Sequence, residues 1–406
     1  MAGPLSHIRV LDLSRVLAGP WASQNLADLG AEVIKVERPG IGDDSRAFGP
    51  PWIRDGQGKE TKDSAYFSSA NRGKKSLTLN IAVPEGQAIA RELAAKCDVL
   101  IENYKYGDLA RYGLGFDDLR KVNPRLIYCS VTGFGQTGPY RERPGYDFMI
   151  QGMGGMMSVT GEPDDAPGGG PQRAGVPIAD IITGMYASIA ICAALAHRER
   201  SGKGQHLDLA LLDSQIALLA YQNTNYFATG RPPKRIGNLH PNIVPYQPFR
   251  ASDGEVILAC GNDNLYRKFC EAAGCAELAK DPRFATNGKR VENRAELTRL
   301  LADVFKKRSK GEWLELLEAA GVPNGPINDV AQVFEEPQVK ARGTRMELPH
   351  GAGATLPLVA SPMRFSETPL EYRSAPPVLG QHTDEVLRGL GKSESDIARL
   401  RSAKVI

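Results

Sequence analysis

Apolar residues recur in two alternating rhythms along the first third of the chain. Short runs rich in β-branched residues, Ile8-Arg-Val-Leu-Asp-Leu13, Ala31-Glu-Val-Ile-Lys-Val-Glu37, Ser76–Asn80, Asp98–Glu102 and Arg125–Val131, predict strands. Between them, Trp21–Leu29 and Pro84–Lys96 carry helical spacing, the second opened by Pro84 and Glu85, which suit a first helical turn. Strands that alternate with helices pair in parallel through right-handed crossovers, so the pattern predicts an α/β fold: a Rossmann-like, doubly wound parallel sheet with helices on both faces.

Further along, Thr183–Glu199 reads as a mostly buried helix, Gly204–Ala210 as a strand and Leu212–Thr229 as a helix. Gly230-Arg-Pro-Pro-Lys-Arg235 is a breaker-rich linker, followed by a strand at Glu255–Cys260 and helices over 264–273, 291–307 and 311–320. The Pro-rich stretch Pro349–Pro377 offers only short strands, and a last helix runs to Leu390 with Thr383 as its expected cap. The expected organisation is a large α/β domain over 1–229, a second, smaller α+β domain over 230–325, and a segment, 326–406, that returns to complete the large one.

Composition narrows the function. The chain is 42% hydrophobic and 24% charged, ordinary for a globular protein. Its 50 Lys and Arg against 47 Asp and Glu leave a net charge of +3, too even for holding polyanions by bulk charge, so nucleic acid is not expected as a partner. Six cysteines without a CxxC pair leave neither a zinc ribbon nor a thioredoxin-like motif and point to a reduced, cytoplasmic protein; no metal site is expected. Met1–Val10 lacks the pattern of a signal peptide. The longest apolar stretch, Met185–Ala196, falls short of the roughly 20 residues that span a bilayer, so no membrane association is expected.

Several catalytic motifs are missing: there is no GxSxG, GxxxxGK[ST] or HExxH, and no pair among the six histidines has i, i+4 spacing. Gly133-Phe-Gly-Gln-Thr-Gly138 spells GxGxxG, but Pro139-Tyr-Arg-Glu-Arg-Pro144 is hostile to the helix that a dinucleotide site needs, which leaves a tight glycine turn. Asp180 stands where a turn meets an apolar helix. It is either a helix N-cap or, by the same placement, a carboxylate kept ionised by the helix dipole and able to attack an activated carbonyl. Arg38, Arg46, Arg72, Lys74, Lys75 and Arg111 recur near the first strands, as surface charge or as contacts to a phosphate-bearing ligand at the sheet's carboxyl edge.

Leu11-Asp-Leu-Ser-Arg-Val-Leu-Ala-Gly-Pro20, Asp28-Leu-Gly-Ala-Glu-Val-Ile-Lys-Val-Glu-Arg38, Asn71-Arg-Gly-Lys-Lys-Ser76, Asp98–Asn103, Gly133–Pro139 and Gly145-Tyr-Asp147 resemble class III CoA-transferases, the carnitine dehydratase/bile-acid-inducible family. The likeness continues in order through Ala179–Met185, Gly202–Gln205, Asp281–Phe284 and Gly380–His382.

That resemblance implies an enzyme that moves CoA between carboxylic acids, with Asp180 as nucleophile, acyl-aspartyl anhydride and aspartyl-CoA thioester intermediates, and an interlocked-ring homodimer. CoA thioesters would be substrates; no resident cofactor is expected. Carried over by position, Arg38, Leu79, Asn103, Arg111, Tyr112, Tyr146 and Asp147 would hold the cofactor portion of the substrate. Leu17 replaces a Gln of the oxalate-using members, and their glycine-rich lid loop has no counterpart, which points away from oxalate and formyl-CoA. Tyr146 stands where related 2-methylacyl-CoA racemases carry a His base; a phenol with a pKa near 10 is a poor replacement. Arg235–Phe249 and Gly321–Ile327 resemble the branch that uses succinyl-CoA with glutarate and related dicarboxylates, with Arg46, Arg235 or His240 open as partners for a distal carboxylate. A racemase and a catalytically silent CoA-binding homologue remain the alternatives.

Overall fold

The computed structural model describes residues 3–406, which form two compact units: 3–156, 174–230 and 338–406 in the larger, 157–173 and 231–337 in the smaller. The segment 157–173, left in the large domain by the sequence pattern, is part of the smaller unit.

Among the described residues of the larger unit, six strands pair in parallel: β1 (Arg9–Asp12), β2 (Glu32–Glu37), β3 (Lys74–Thr78), β4 (Val99–Glu102), β5 (Ile127–Thr132) and β6 (His206–Ala210). Their order is β3-β2-β1-β4-β5-β6, the doubly wound arrangement. The expected strand at Ser76–Asn80 begins two residues earlier, because Lys74 and Lys75 already pair with Val33 and Ile34. The winding reverses between β1 and β4. The carboxyl ends of these strands, after Asp12 and Glu102, therefore flank the crevice in which open α/β sheets place ligands.

Successive side chains of a strand point to opposite faces, and the apolar runs are continuous because both faces are covered. Leu11, Ile34 and Leu100 feed one core with helix α2 (Pro84–Lys96) and the chain's last two helices. Val10, Val33, Val99 and Ile101 feed the other, with α1 (Ala18–Asp28) and α4 (Ile178–Ser201). Two shorter helices, α3 (Asp147–Met153) and α5 (Leu211–Leu218), pack against α4.

Helix α4 departs from the sequence reading. It is 24 residues long, enough by length and apolarity to cross a bilayer, but a stripe through Ala187, Ile191 and Ala194 is buried in the second core. The opposite side is not buried, with Met185 46% and Ile189 62% exposed. The expected helix Leu212–Thr229 is broken at Ala220, whose φ of 45° separates α5 from α6 (Tyr221–Thr229).

The smaller unit is built on an antiparallel sheet, β7 (Tyr246–Arg250), β8 (Glu255–Ala259) and β9 (Asn324–Pro326), in the order β9-β8-β7. Phe305 stacks between Phe249 and Trp313 at centroid distances of 4.6 and 4.5 Å, and the Trp313 indole N–H donates to the Phe305 carbonyl at 2.8 Å. The helix expected over 291–307 is interrupted at Asn293, which ends one helix and begins the next.

The tail completes the larger unit. The Asn80 N–H donates to the Val405 carbonyl at 2.7 Å, and the Thr78 N–H to Thr383 Oγ1 at 3.0 Å. Thr383 is thus the first residue of its helix, Thr383–Gly389, rather than the cap; its hydroxyl is used across to β3.

Candidate active site

A cleft of about 270 Å³ opens at the winding reversal. Arg15–Ala18, after β1, and Asn103–Tyr106, after β4, form two of its walls; Asp44, Asp108, Val131–Gly133, Arg141, Arg143–Tyr146, Asp180 and Leu211 complete it. Asp180 is not an N-cap. Pro177 occupies that position, so Asp180 is the third residue of α4, with its side chain half-buried at the cleft. The capping falls instead to Asp147, which begins α3: its Oδ1 accepts from the Ala179 N–H at 2.8 Å and the Asp180 N–H at 3.4 Å, and its Oδ2 from Gln151 at 2.7 Å.

Because Asp147 takes those N–H groups, the helix start does less for Asp180 than the sequence alone implied. Burial, and then the negative charge of Asp147, push the Asp180 carboxyl up to about 7. Among the described residues none donates a hydrogen bond to its oxygens. Tyr66 is held as a neutral phenol, pushed up to about 12 by burial and by the charges of Asp180 and Asp147. Four cationic side chains line the cleft: Arg15, Lys105, Arg141 and Arg143. Arg143 lies 4.5 Å from the Tyr140 ring centroid and Arg141 the same distance from that of Tyr106, so an aromatic face supports each guanidinium group; Arg141 also has the Glu142 carboxylate at 3.6 Å.

The glycine motif is a turn, with Gly135 and Gly138 at positive φ and no helix following. Its first glycine has a packing role: a Cβ on Gly133 would lie 2.5 Å from the Gly145 Cα. Close approach of these two backbones sets the loop that carries Arg141, Arg143 and Tyr146 against β5. The turn after β1 is also unusual. Val16 has φ 67°, a region that a β-branched residue enters at a cost of about 1–3 kcal/mol.

The sequence model of CoA-transferase family III matches residues 5–383. The chain belongs to CoA-transferase family III. It is 51% identical to the succinate–glutarate CoA-transferase of Agrobacterium fabrum, over 95% of this chain and 96% of that protein. It is 44% identical to the human succinyl-CoA:glutarate CoA-transferase, over 99% of this chain and 90% of that one. The crystal structure of a CAIB/BAIF family protein from Brucella suis superposes with a TM-score of 0.83 at 51% identity, covering 96% of this chain and all of the other.

Within this family III chain the residues singled out by sequence fall into three groups. Asp180, Tyr146 and Asn103 line the cleft, Tyr146 being 71% exposed. Asn103 spends both ends of its amide on one peptide, accepting from the Arg15 N–H at 2.8 Å and donating to the Arg15 carbonyl at 2.7 Å. Arg38 is beside the cleft, ion-paired to Asp44, which Arg15 also contacts at 2.7 Å. The others lie outside the cleft lining: Leu79 is 1% exposed in the core, Tyr112 packs against that core, Arg111 is a surface pair with Asp108, and Asp147 is the cap already described.

Of the six basic residues expected to meet phosphate, three are buried in ion pairs. Arg46 bonds Glu37 at 2.7 Å and Asp63 at 2.7 Å, which removes it as a partner for a distal carboxylate; Arg72 forms a fork with Asp28, and Lys74 pairs with Asp12 at 3.1 Å. Lys75, less buried, is shared by Glu32 and Glu385. Arg235 pairs with Asp164 within the smaller unit, where His240 also lies. Sequence reasoning missed Arg15, Lys105, Arg141 and Arg143. The last two stand in the Pro139–Pro144 run, whose basic content was readable although only its prolines were weighed. Among the described residues no group of three or more His, Cys, Asp or Glu is arranged to hold a metal ion.

Proposed function

We propose that this enzyme exchanges CoA between succinyl-CoA and glutarate or a related dicarboxylate, with Asp180 as the covalent nucleophile. The reading rests on one observation: a carboxylate with no hydrogen-bond donor spent on it, opening onto a cleft where four cations, one of them paired to Asp44, outnumber the other lining carboxylates, Asp44 and Asp108. Bare oxygens favour nucleophilic attack, and the guanidinium and ammonium groups suit the phosphates of CoA.

Asp180 attacks the thioester carbonyl, the carbon–sulfur bond breaks, and an acyl-aspartyl anhydride and CoA thiolate form. The thiolate attacks the aspartyl carbonyl, which releases the donor acid and leaves an aspartyl-CoA thioester. The acceptor carboxylate then repeats the two steps in reverse. A thioester is exchanged for a thioester, so no ATP is consumed, and binding of the long CoA tail supplies positioning energy for a weak nucleophile. CoA enters and leaves as part of the substrates, and no resident cofactor is invoked.

Incubation with succinyl-CoA is expected to add mass to the peptide containing Asp180, in a form cleaved by hydroxylamine, and Asp180→Ala to abolish both adduct and turnover while free CoA still binds. A racemase would exchange the α-proton with no adduct, and a silent homologue would do neither. Turnover retained in Asp180→Ala would end the nucleophile assignment. We also propose a homodimer in which a second copy covers Met153, Met185, Ile189, Ile216 and Phe227, large apolar side chains exposed by 43% or more. The free thiols, five of the six buried, suit a reducing cytoplasm.

A further inference from the structure

Among the described residues Val16 is the one β-branched side chain at positive φ; glycine would adopt φ 67° without strain. Two strand ends hold it there. From the end of β4, Asn103 clamps both polar groups of Arg15. From the loop after β2, the Asp43 carboxylate accepts the Val16 N–H at 3.1 and 3.3 Å, and also the Ser45 N–H at 2.9 Å. Asp43 is itself anchored: Lys35, equally sealed from solvent, reaches its Oδ2 at 2.8 Å and the Ser14 carbonyl at 2.9 Å. Burial alone would raise the Asp43 carboxyl, but Lys35 outweighs it and keeps the group ionised.

What this clamp positions is the start of α1. Leu17 and Ala18 line the cleft with Asp180, and the Ala18 carbonyl lies where a Cβ on Gly184 would be only 2.6 Å away. Gly184 is one turn beyond Asp180 on the same face of α4. The first turn of α1 is thus seated directly on the helix that presents the carboxylate.

We propose, given the reading of Asp180 as nucleophile, that Asp43 is a positioning residue: anchored by Lys35, it holds Val16 in its left-handed conformation and so fixes the first turn of α1 beside the reacting carboxylate. Strain of this kind persists only where the surroundings over-determine it, and here they include two buried charges, Asp43 and Lys35, neither of which lines the cleft.

The test is a double-mutant cycle of Asp43→Ala and Val16→Gly, read as kcat, KM for the acyl-CoA, and Kd for free CoA. Asp43→Ala is expected to lower kcat by about tenfold or more while KM and the CoA Kd change by less than about threefold, since misplacement falls on the reacting geometry. In the Val16→Gly background the same change should cost less than about threefold, because glycine keeps the turn without the clamp. A kcat within about twofold of wild type in Asp43→Ala, or an equal loss in both backgrounds, overturns the proposal. If Asp43→Ala does not fold, Asp43→Asn keeps one acceptor oxygen and should show a smaller loss, cancelled by Val16→Gly in the same way; no loss, or none cancelled, counts against the clamp. Should the wild type transfer no CoA, the parent reading fails separately. The clamp then answers to a crystal structure of Asp43→Ala or Asp43→Asn, in which Val16 still at positive φ refutes it and Val16 relaxed to negative φ supports the clamp itself.

Discussion

Asp180 and Asp147 divide between them two tasks that a single helix-terminal carboxylate performs elsewhere. Asp147 takes the hydrogen bonds that stabilise the helix start, and Asp180 is left without donors, its carboxyl pushed up to about 7 by burial and by its neighbour's charge. A nucleophile must be ionised, so kcat/KM is expected to rise with pH through about 7 and to level off above it. Asp147→Asn keeps an oxygen for the Ala179 N–H but removes the negative charge, which lowers the Asp180 pKa and moves the acid limb of the profile to lower pH. A pH–rate series on the two proteins checks both statements; an unshifted limb would show that burial alone sets the carboxyl. None of this was legible at the residue scale. Asp180 was readable as a group at a helix start, but its cap comes from a residue 33 positions away, and chain separation of that size leaves no trace in local pattern.

Elements were more legible than residues, because a strand or helix buried on known faces must show the matching period of apolar positions. Every strand of the parallel sheet is visible in the pattern, with boundaries moved by a residue or two. The failures lie where backbone conformation rather than side-chain polarity decides: the break at Ala220, the interruption at Asn293 and the turn at Val16. The glycine motif was half legible. The prolines after it excluded a dinucleotide helix, but the contact between Gly133 and Gly145 is a tertiary fact. Gly145→Ala would place a Cβ 2.3 Å from the Gly133 Cα, so the loop bearing Arg141 and Arg143 must shift. The expected outcome is a stability loss of about 1–3 kcal/mol in urea melts and a KM for acyl-CoA raised by about tenfold. An unchanged KM would remove this loop from the binding surface.

At the scale of the whole molecule, the larger unit depends on a chain end that leaves and returns. Val386, Leu387, Ile397, Leu400, Val405 and Ile406 are all part of one face's core. At about 1.5–3 kcal/mol for each large side chain, their burial rivals the 5–15 kcal/mol that holds a typical domain together. A chain ending at Pro377 should therefore be insoluble or lack cooperative melting by circular dichroism; a folded product would show that the sheet needs one covered face only. The apolar sides of α3, α4, α5 and α6 carry the dimer proposal. Ile189→Glu is expected to shift the mass measured by light scattering from two chains to one, and an unchanged mass would send the interface elsewhere.

The sequence by itself determined the alternation of strands and helices, the family, and the place of Asp180 at a helix start, since periodicity and contiguous motifs survive in one dimension. Only the tertiary structure decided which charges were free to act. Arg46, Arg72 and Lys74 read equally as surface charge or as phosphate contacts until the fold buried each against a carboxylate 9 to 62 positions away, whereas Arg141 and Arg143 were left at the cleft on aromatic faces. A charge becomes a ligand or a strut according to what the fold brings next to it, and contacts between distant positions are absent from any local pattern.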